Sequence, residues 1–212
     1  MRATHDFRAI RDRQPYDVTL EGIELTVCKD VFPPDVGYTA RNLDRMLAHY
    51  HPSAALDMGC GTGYLALAMR RRGIPVVWAA DIHPLAVACC RLNVERNPQL
   101  APVTIIQSDL FENVRPTSLF DLILFHQPYF AGTGDEFIAP TADGGAPVIR
   151  RFLSQARDYL RCDGVMIMAF QDTAGEQNDP ANVAAQMGIK VRTIFHDREL
   201  EINRSIYELR YS

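Results

Sequence analysis

The chain has 212 residues, 47% of them hydrophobic and 23% charged, values that suit one globular domain and exclude a disordered, collagen-like or coiled-coil chain. With 22 Lys and Arg against 26 Asp and Glu the net charge is -4, which argues against a protein that grips long stretches of nucleic acid backbone. Five cysteines (Cys28, Cys60, Cys89, Cys90 and Cys162) show no Cys-x-x-Cys spacing, so no disulfide framework and no metal site are expected, and the compartment reads as reducing.

Residues 1–16 are charged and aperiodic and read as a solvated arm. They hold no apolar leader, and no run of about 18 apolar residues follows, so a cytoplasmic protein with no membrane span is expected. From Asp17, DVTLEGIELTVCKDVF alternates apolar and polar residues about Glu21-Gly22, the pattern of a β-hairpin, and Pro33-Pro34 ends it. Leu43, Met46, Leu47 and Tyr50 then share one face of a helix within residues 36–50. Apolar runs at 54–58, 75–80, 102–107, 120–125 and 164–170 follow, separated by helical stretches such as YLALAMRRR, PLAVACCRLNVERN and APVIRRFLSQARDYL. Short apolar runs between helices predict an α/β fold around a parallel sheet covered on both faces. The last two runs, 189–196 and 204–211, leave no room for a crossover helix and should pair antiparallel. His49 and His51 have no metal-ligand partners in the sequence, and Arg70-Arg71-Arg72 ends a helix where cations favour the dipole.

The strongest local signal is Leu56-Asp57-Met58-Gly59-Cys60-Gly61-Thr62-Gly63, which follows an apolar strand and opens a helix. Glycines are needed where the backbone turns tightly or lies against a ligand. The spacing is neither the dinucleotide fingerprint nor a phosphate loop. LDMGCGTGYLALAM resembles the first motif of class I S-adenosylmethionine-dependent methyltransferases, Asp81 after PVVWAA resembles their second, and Ser108-Asp109-Leu110 resembles their third. The resemblance implies a Rossmann-like sheet of seven strands with a C-terminal antiparallel hairpin. It implies S-adenosyl-L-methionine as cofactor, bordered by Asp57, Gly59, Cys60, Gly61 and Gly63, with Asp81 on the ribose, Asp109 on the adenine, and Ile82, Leu110 and His126 beside them. Residues 1–50 then form an arm, hairpin and preceding helix, and 51–212 the cofactor-binding body of one structural unit.

Phe125-His126-Gln127-Pro128-Tyr129-Phe130 stands where the Asn-Pro-Pro-Tyr motif stands in the branch acting on glutamine side chains and exocyclic base amines. Asp143-Gly144-Gly145 and residues 31–47 also resemble that branch, closest to its short members, while the bacterial release-factor enzymes carry a substrate domain for which the residues before the glycine loop are expected to leave no space. In the branch the Asn carboxamide orients the acceptor nitrogen; here His126 and Gln127 take those positions. An imidazole accepts at one nitrogen at most, so a different acceptor is expected. Phe125, His126, Gln127 and Tyr129 are the candidate reacting-centre residues: the aromatic faces could hold a cation and His126 could take a proton. Methyl transfer to a small molecule or other non-standard acceptor is the first reading, with nucleic acid disfavoured and a homodimer left open. The second is cyclisation of the cofactor itself to azetidine-2-carboxylate and methylthioadenosine, as in methyltransferase-like azetidine-2-carboxylate synthases, and the third is a non-catalytic scaffold.

Overall fold

The computed structural model describes residues 7–36, 38–115, 117, 119–128, 145–199 and 201–212. A short helix, α1 (Phe7–Asp12), precedes a hairpin of β1 (Tyr16–Leu20) and β2 (Ile23–Val27). Glu21 and Gly22 take φ of 49° and 80°, the positive values that a two-residue hairpin turn requires at both positions. Leu20 faces Ile23 across that turn. The arm is less solvated than its composition predicts. Gln14 is buried, donating to the Val31 carbonyl at 2.6 Å and accepting from the Asp30 amide at 2.8 Å. One buried polar side chain leaves no periodic trace in a sequence.

The body runs α2 (Thr39–Leu47), β3 (Ala54–Met58), α3 (Tyr64–Arg71), β4 (Val76–Asp81), α4 (Pro84–Arg96), β5 (Thr104–Gln107), β6 (Phe120–Phe125), α5 (Ala146–Ala156), β7 (Leu160–Gln171), α6 (Pro180–Gln186), β8 (Lys190–Glu199) and β9 (Ile202–Arg210). The seven body strands form one sheet in the order β5-β4-β3-β6-β7-β9-β8. The first five are parallel, and β9 pairs antiparallel with both β7 and β8. The expected α/β, Rossmann-like sheet with an antiparallel C-terminal hairpin is therefore present. From β3 the chain winds outward through β4 and β5, then returns to β6 on the other side. The crevice at the C-terminal ends of β3 and β6 is thus a topological switch point, where open α/β sheets bind ligands.

Alternation along the strands sorts the core into two layers. Leu56, Met58, Ile123 and Phe125 pack with Phe152 and Leu153 of α5 and Val183 of α6. Ala55, Leu122 and Leu124 pack on the other side with α2, α3 and the hairpin residues Leu20, Ile23 and Leu25. The short helix α6 escapes a periodicity search because PANVAAQ holds few large apolar residues; Pro180 opens it, and Asp179 caps the Ala181 amide. Arg70, Arg71 and Arg72 are structural. Arg70 donates to the carbonyls of Leu100, Ile74, Pro75 and Ala101, while Arg71 and Arg72 grip the buried Asp44 carboxylate at 2.6 and 2.7 Å. Among the described residues no helix is long and apolar enough to cross a membrane.

Candidate cofactor and acceptor site

Asp57 lies on the α3 side of β3, and its Oδ2 accepts from the Ala66 amide at 3.0 Å. The strand carboxylate thereby serves the first turn of α3, whose N-cap, Gly63, has no side chain to do so. Burial pushes the Asp57 carboxyl up to about 8, the Ala66 amide opposes that shift and the nearby Asp81 adds to it. Gly59, Gly61 and Gly63 have φ of 70°, 52° and 81°, the left-handed region open to glycine. Each also has its own neighbourhood. A Cβ on Gly59 would stand 3.3 Å from the Phe125 ring, one on Gly63 would stand 2.6 Å from Cys90 Sγ, and one on Gly61 would find, among the described residues, only Val31, at 4.0 Å. Gly63 therefore serves helix packing, while Gly61 borders the open side of the loop.

Asp81, at the end of β4, accepts from the Gly61 amide and the His83 amide, both at 2.9 Å. Burial raises its carboxyl and these two amides counter the rise. It holds the loop in shape, and as an acceptor-only carboxylate in the ionised state it suits the two hydroxyls of a ribose. Asp109 follows β5 and is paired with Arg151 of α5 at 2.7 Å, a partner from a distant segment that no local motif announces. Ser108 closes this turn by donating to the Leu110 carbonyl at 2.7 Å, and Leu110 takes a positive φ of 48° and is buried. Ile82 is 46% exposed beside these carboxylates, an apolar surface next to a polar rim, as a nucleoside requires. Cys60 is buried in contact with Cys90 of α4, which with burial raises its thiol well above the usual range and so disfavours the nucleophilic thiolate. The residues present thus fit S-adenosylmethionine: open loop, ribose-competent carboxylate and apolar shelf.

Phe125 is 3% exposed and packs on Phe152 with ring centroids 4.7 Å apart. It packs against Gly59, and its buried ring has no open face to hold a cation. His126 is half-buried, and burial pushes its imidazole down to about 4. That shift favours the neutral ring and weakens it as a proton acceptor. Gln127 is buried. Its Nε2 donates to the Ala169 carbonyl of β7 at 2.6 Å, just past the point where the β6–β7 ladder ends at Phe125 and Met168. Among the described residues its Oε1 has no hydrogen-bond partner. The Pro128 carbonyl accepts from the Gly145 amide at 3.2 Å, tethering this segment to the start of α5. Tyr129, Phe130, Asp143 and Gly144 lie outside the described residues.

Residues 35–188 match the family of the Methyltransferase small domain, and the chain belongs to that family. It is an S-adenosylmethionine-dependent methyltransferase. A Methanocaldococcus jannaschii protein, provisionally named a protein N5-glutamine methyltransferase, is 30% identical over 82% of this chain and 88% of its own length. The release factor glutamine methyltransferase of Haemophilus influenzae is 30% identical over 71% of this chain, which spans 53% of that longer protein. Among solved structures, the Thermus thermophilus 16S rRNA N2 G1207 methyltransferase, in complex with S-adenosylmethionine and guanosine, superimposes with a TM-score of 0.69 at 19% identity, covering 93% of this chain and 50% of that one. These names span protein and RNA substrates.

Proposed function

We propose that this protein methylates a nitrogen that bears an N–H, an amide or an exocyclic amine, and that the Gln127 carboxamide oxygen accepts the hydrogen bond from that N–H. One observation carries the reading. Gln127 is 2% exposed, its nitrogen is committed to Ala169, and its oxygen is left without a hydrogen-bond partner among the described residues. A buried acceptor left unmade costs about 1 to 3 kcal/mol, and a donor from the acceptor molecule relieves that cost. The carboxamide lost at position 126 is thus supplied one residue later, on a side chain longer by one methylene.

The cofactor supplies a methyl group on a positively charged sulfur. Asp57, Gly59, Gly61 and Gly63 shape the loop that would hold it, Asp81 would take the ribose, Asp109 with Arg151 the adenine edge and exposed Ile82 a base face, with buried Leu110 supporting the turn beneath. Gln127 and neutral His126 offer acceptors that turn the nitrogen lone pair toward the methyl. His126 is too weak a base to keep the released proton at neutral pH. The net charge of -4 does not remove RNA from the acceptors, since proteins named for RNA methylation share the family's fold.

The test is to incubate the protein with S-adenosylmethionine alone, then with glutamine peptides, RNA oligonucleotides and a metabolite pool, following products by mass spectrometry. S-adenosylhomocysteine should form only with an N–H acceptor, and Gln127→Met should reduce turnover about 100-fold with cofactor affinity retained. Methylthioadenosine and azetidine-2-carboxylate in the acceptor-free reaction would replace this reading with cyclisation. Full turnover by Gln127→Met would remove the role of the carboxamide.

A further inference from the structure

Asn93, near the C-terminal end of α4, is 0% exposed, and both polar atoms of its side chain are engaged. Its Oδ1 accepts from the Thr26 amide at 2.7 Å, and its Nδ2 donates to the carbonyls of Thr26 and Thr62, both at 2.9 Å. Thr26 belongs to β2 of the N-terminal hairpin and Thr62 to the glycine loop. One carboxamide therefore joins the two.

One turn later Asn97 repeats half of the pattern. Its Oδ1 accepts from the Glu24 amide at 3.2 Å and its Nδ2 donates to the Glu24 carbonyl at 2.7 Å. Four residues of helix advance about 6 Å and two residues of strand about 6.8 Å. The two asparagines thus stand in for a neighbouring strand along the edge of β2. Asn97 makes no bond to the loop; Asn93 does. Beyond β2 the chain crosses the loop, where Val31 is the nearest neighbour of the space beside Gly61, and buried Gln14 holds Asp30 and Val31 in place.

We propose that Asn93 is a positioning residue for S-adenosylmethionine: it sets the glycine loop against the hairpin, which makes the hairpin a working part of the cofactor site. The inference rests on the glycine loop being that site.

Asn93→Ala and Asn97→Ala both detach the hairpin from α4, but only the first releases the Thr62 carbonyl. Calorimetric titration with S-adenosylhomocysteine, on variants whose folding and melting temperature are recorded, separates the two effects. Both should melt earlier, while Asn93→Ala weakens binding about tenfold or more, 1.4 kcal/mol, and Asn97→Ala leaves it near wild type. Equal affinities in the two variants would overturn the proposal. Should Asn93→Ala not fold, hydrogen exchange of the wild-type protein decides, because coupling between sites is reciprocal. Adding S-adenosylhomocysteine should slow exchange in residues 59–63 and also at Glu24 and Thr26. Protection of the loop with no change in the hairpin overturns the coupling. No protection of the loop overturns its assignment as the cofactor site, and the coupling with it.

Discussion

Two titratable residues of the site respond to burial in opposite directions, and each makes stability depend on pH. His126, pushed down to about 4 from an ordinary 6.5, is neutral in the folded protein where the unfolded chain is charged. Between these values the unfolded state binds more protons, so stability contributed by the neutral ring is present above pH 6.5 and is lost as pH falls toward 4. His126→Gln should lose less stability over that interval in denaturant titrations. Asp57 behaves oppositely: its folded carboxyl keeps a proton up to about 8 against an ordinary 3.8. The folded state binds more protons between those values, so this residue lowers stability as pH rises through them. Asp57→Asn, which keeps an acceptor for the Ala66 amide, should remove that slope. Asp57→Ala also strips the amide of its partner and should cost about 1 to 3 kcal/mol.

The glycine loop works as an element because its three glycines meet three different neighbours. Gly63 is the most constrained, with φ of 81° and a Cβ position 2.6 Å from Cys90 Sγ and 3.3 Å from Cys90 Cα. Gly63→Ala should destabilise by about 2 to 4 kcal/mol, from left-handed strain and overpacking together. Adding Cys90→Ala should recover only part of the loss in chemical denaturation, since the backbone of α4 and the positive φ remain. Full recovery would assign the whole cost to the sulfur. The β6–β7 pair shows a related economy. Pro128 cannot extend the ladder, and the Gln127 side chain supplies the donor that the Ala169 carbonyl needs.

At the scale of the molecule, the switch point between β3 and β6 gathers the loop, Asp81 and residues 125–128 at the C-terminal ends of the central strands. Cofactor should stabilise the native protein by about 2.7 kcal/mol at 100 times its dissociation constant, a rise of roughly 5 to 11 °C in melting temperature for a chain of this size. Asp81→Ala should show little of this rise. An undiminished shift would remove the ribose assignment.

Apart from α1 and α6, the element order, the hairpin turn at Glu21-Gly22, the glycine loop and the strand-end carboxylates were legible in the sequence, because apolar periodicity and turn chemistry act between near neighbours. The length of β7 was not, since its polar extension Arg161-Cys162-Asp163 carries no strand pattern. Nor was the burial of Gln14, the pairing of Arg151 with Asp109, the neutral state of His126, the spare oxygen of Gln127 or the bridge made by Asn93. Each of these depends on a partner or an environment brought up from far along the chain: Asn93 stands 67 residues from Thr26 and Gln127 stands 42 from Ala169. The sequence by itself determined an α/β fold of short apolar strands between helices, with a glycine loop at the end of the first parallel strand. Only the tertiary structure decided which polar groups are left to meet a ligand, because hydrogen-bond satisfaction is settled by three-dimensional packing and burial alone sets its cost.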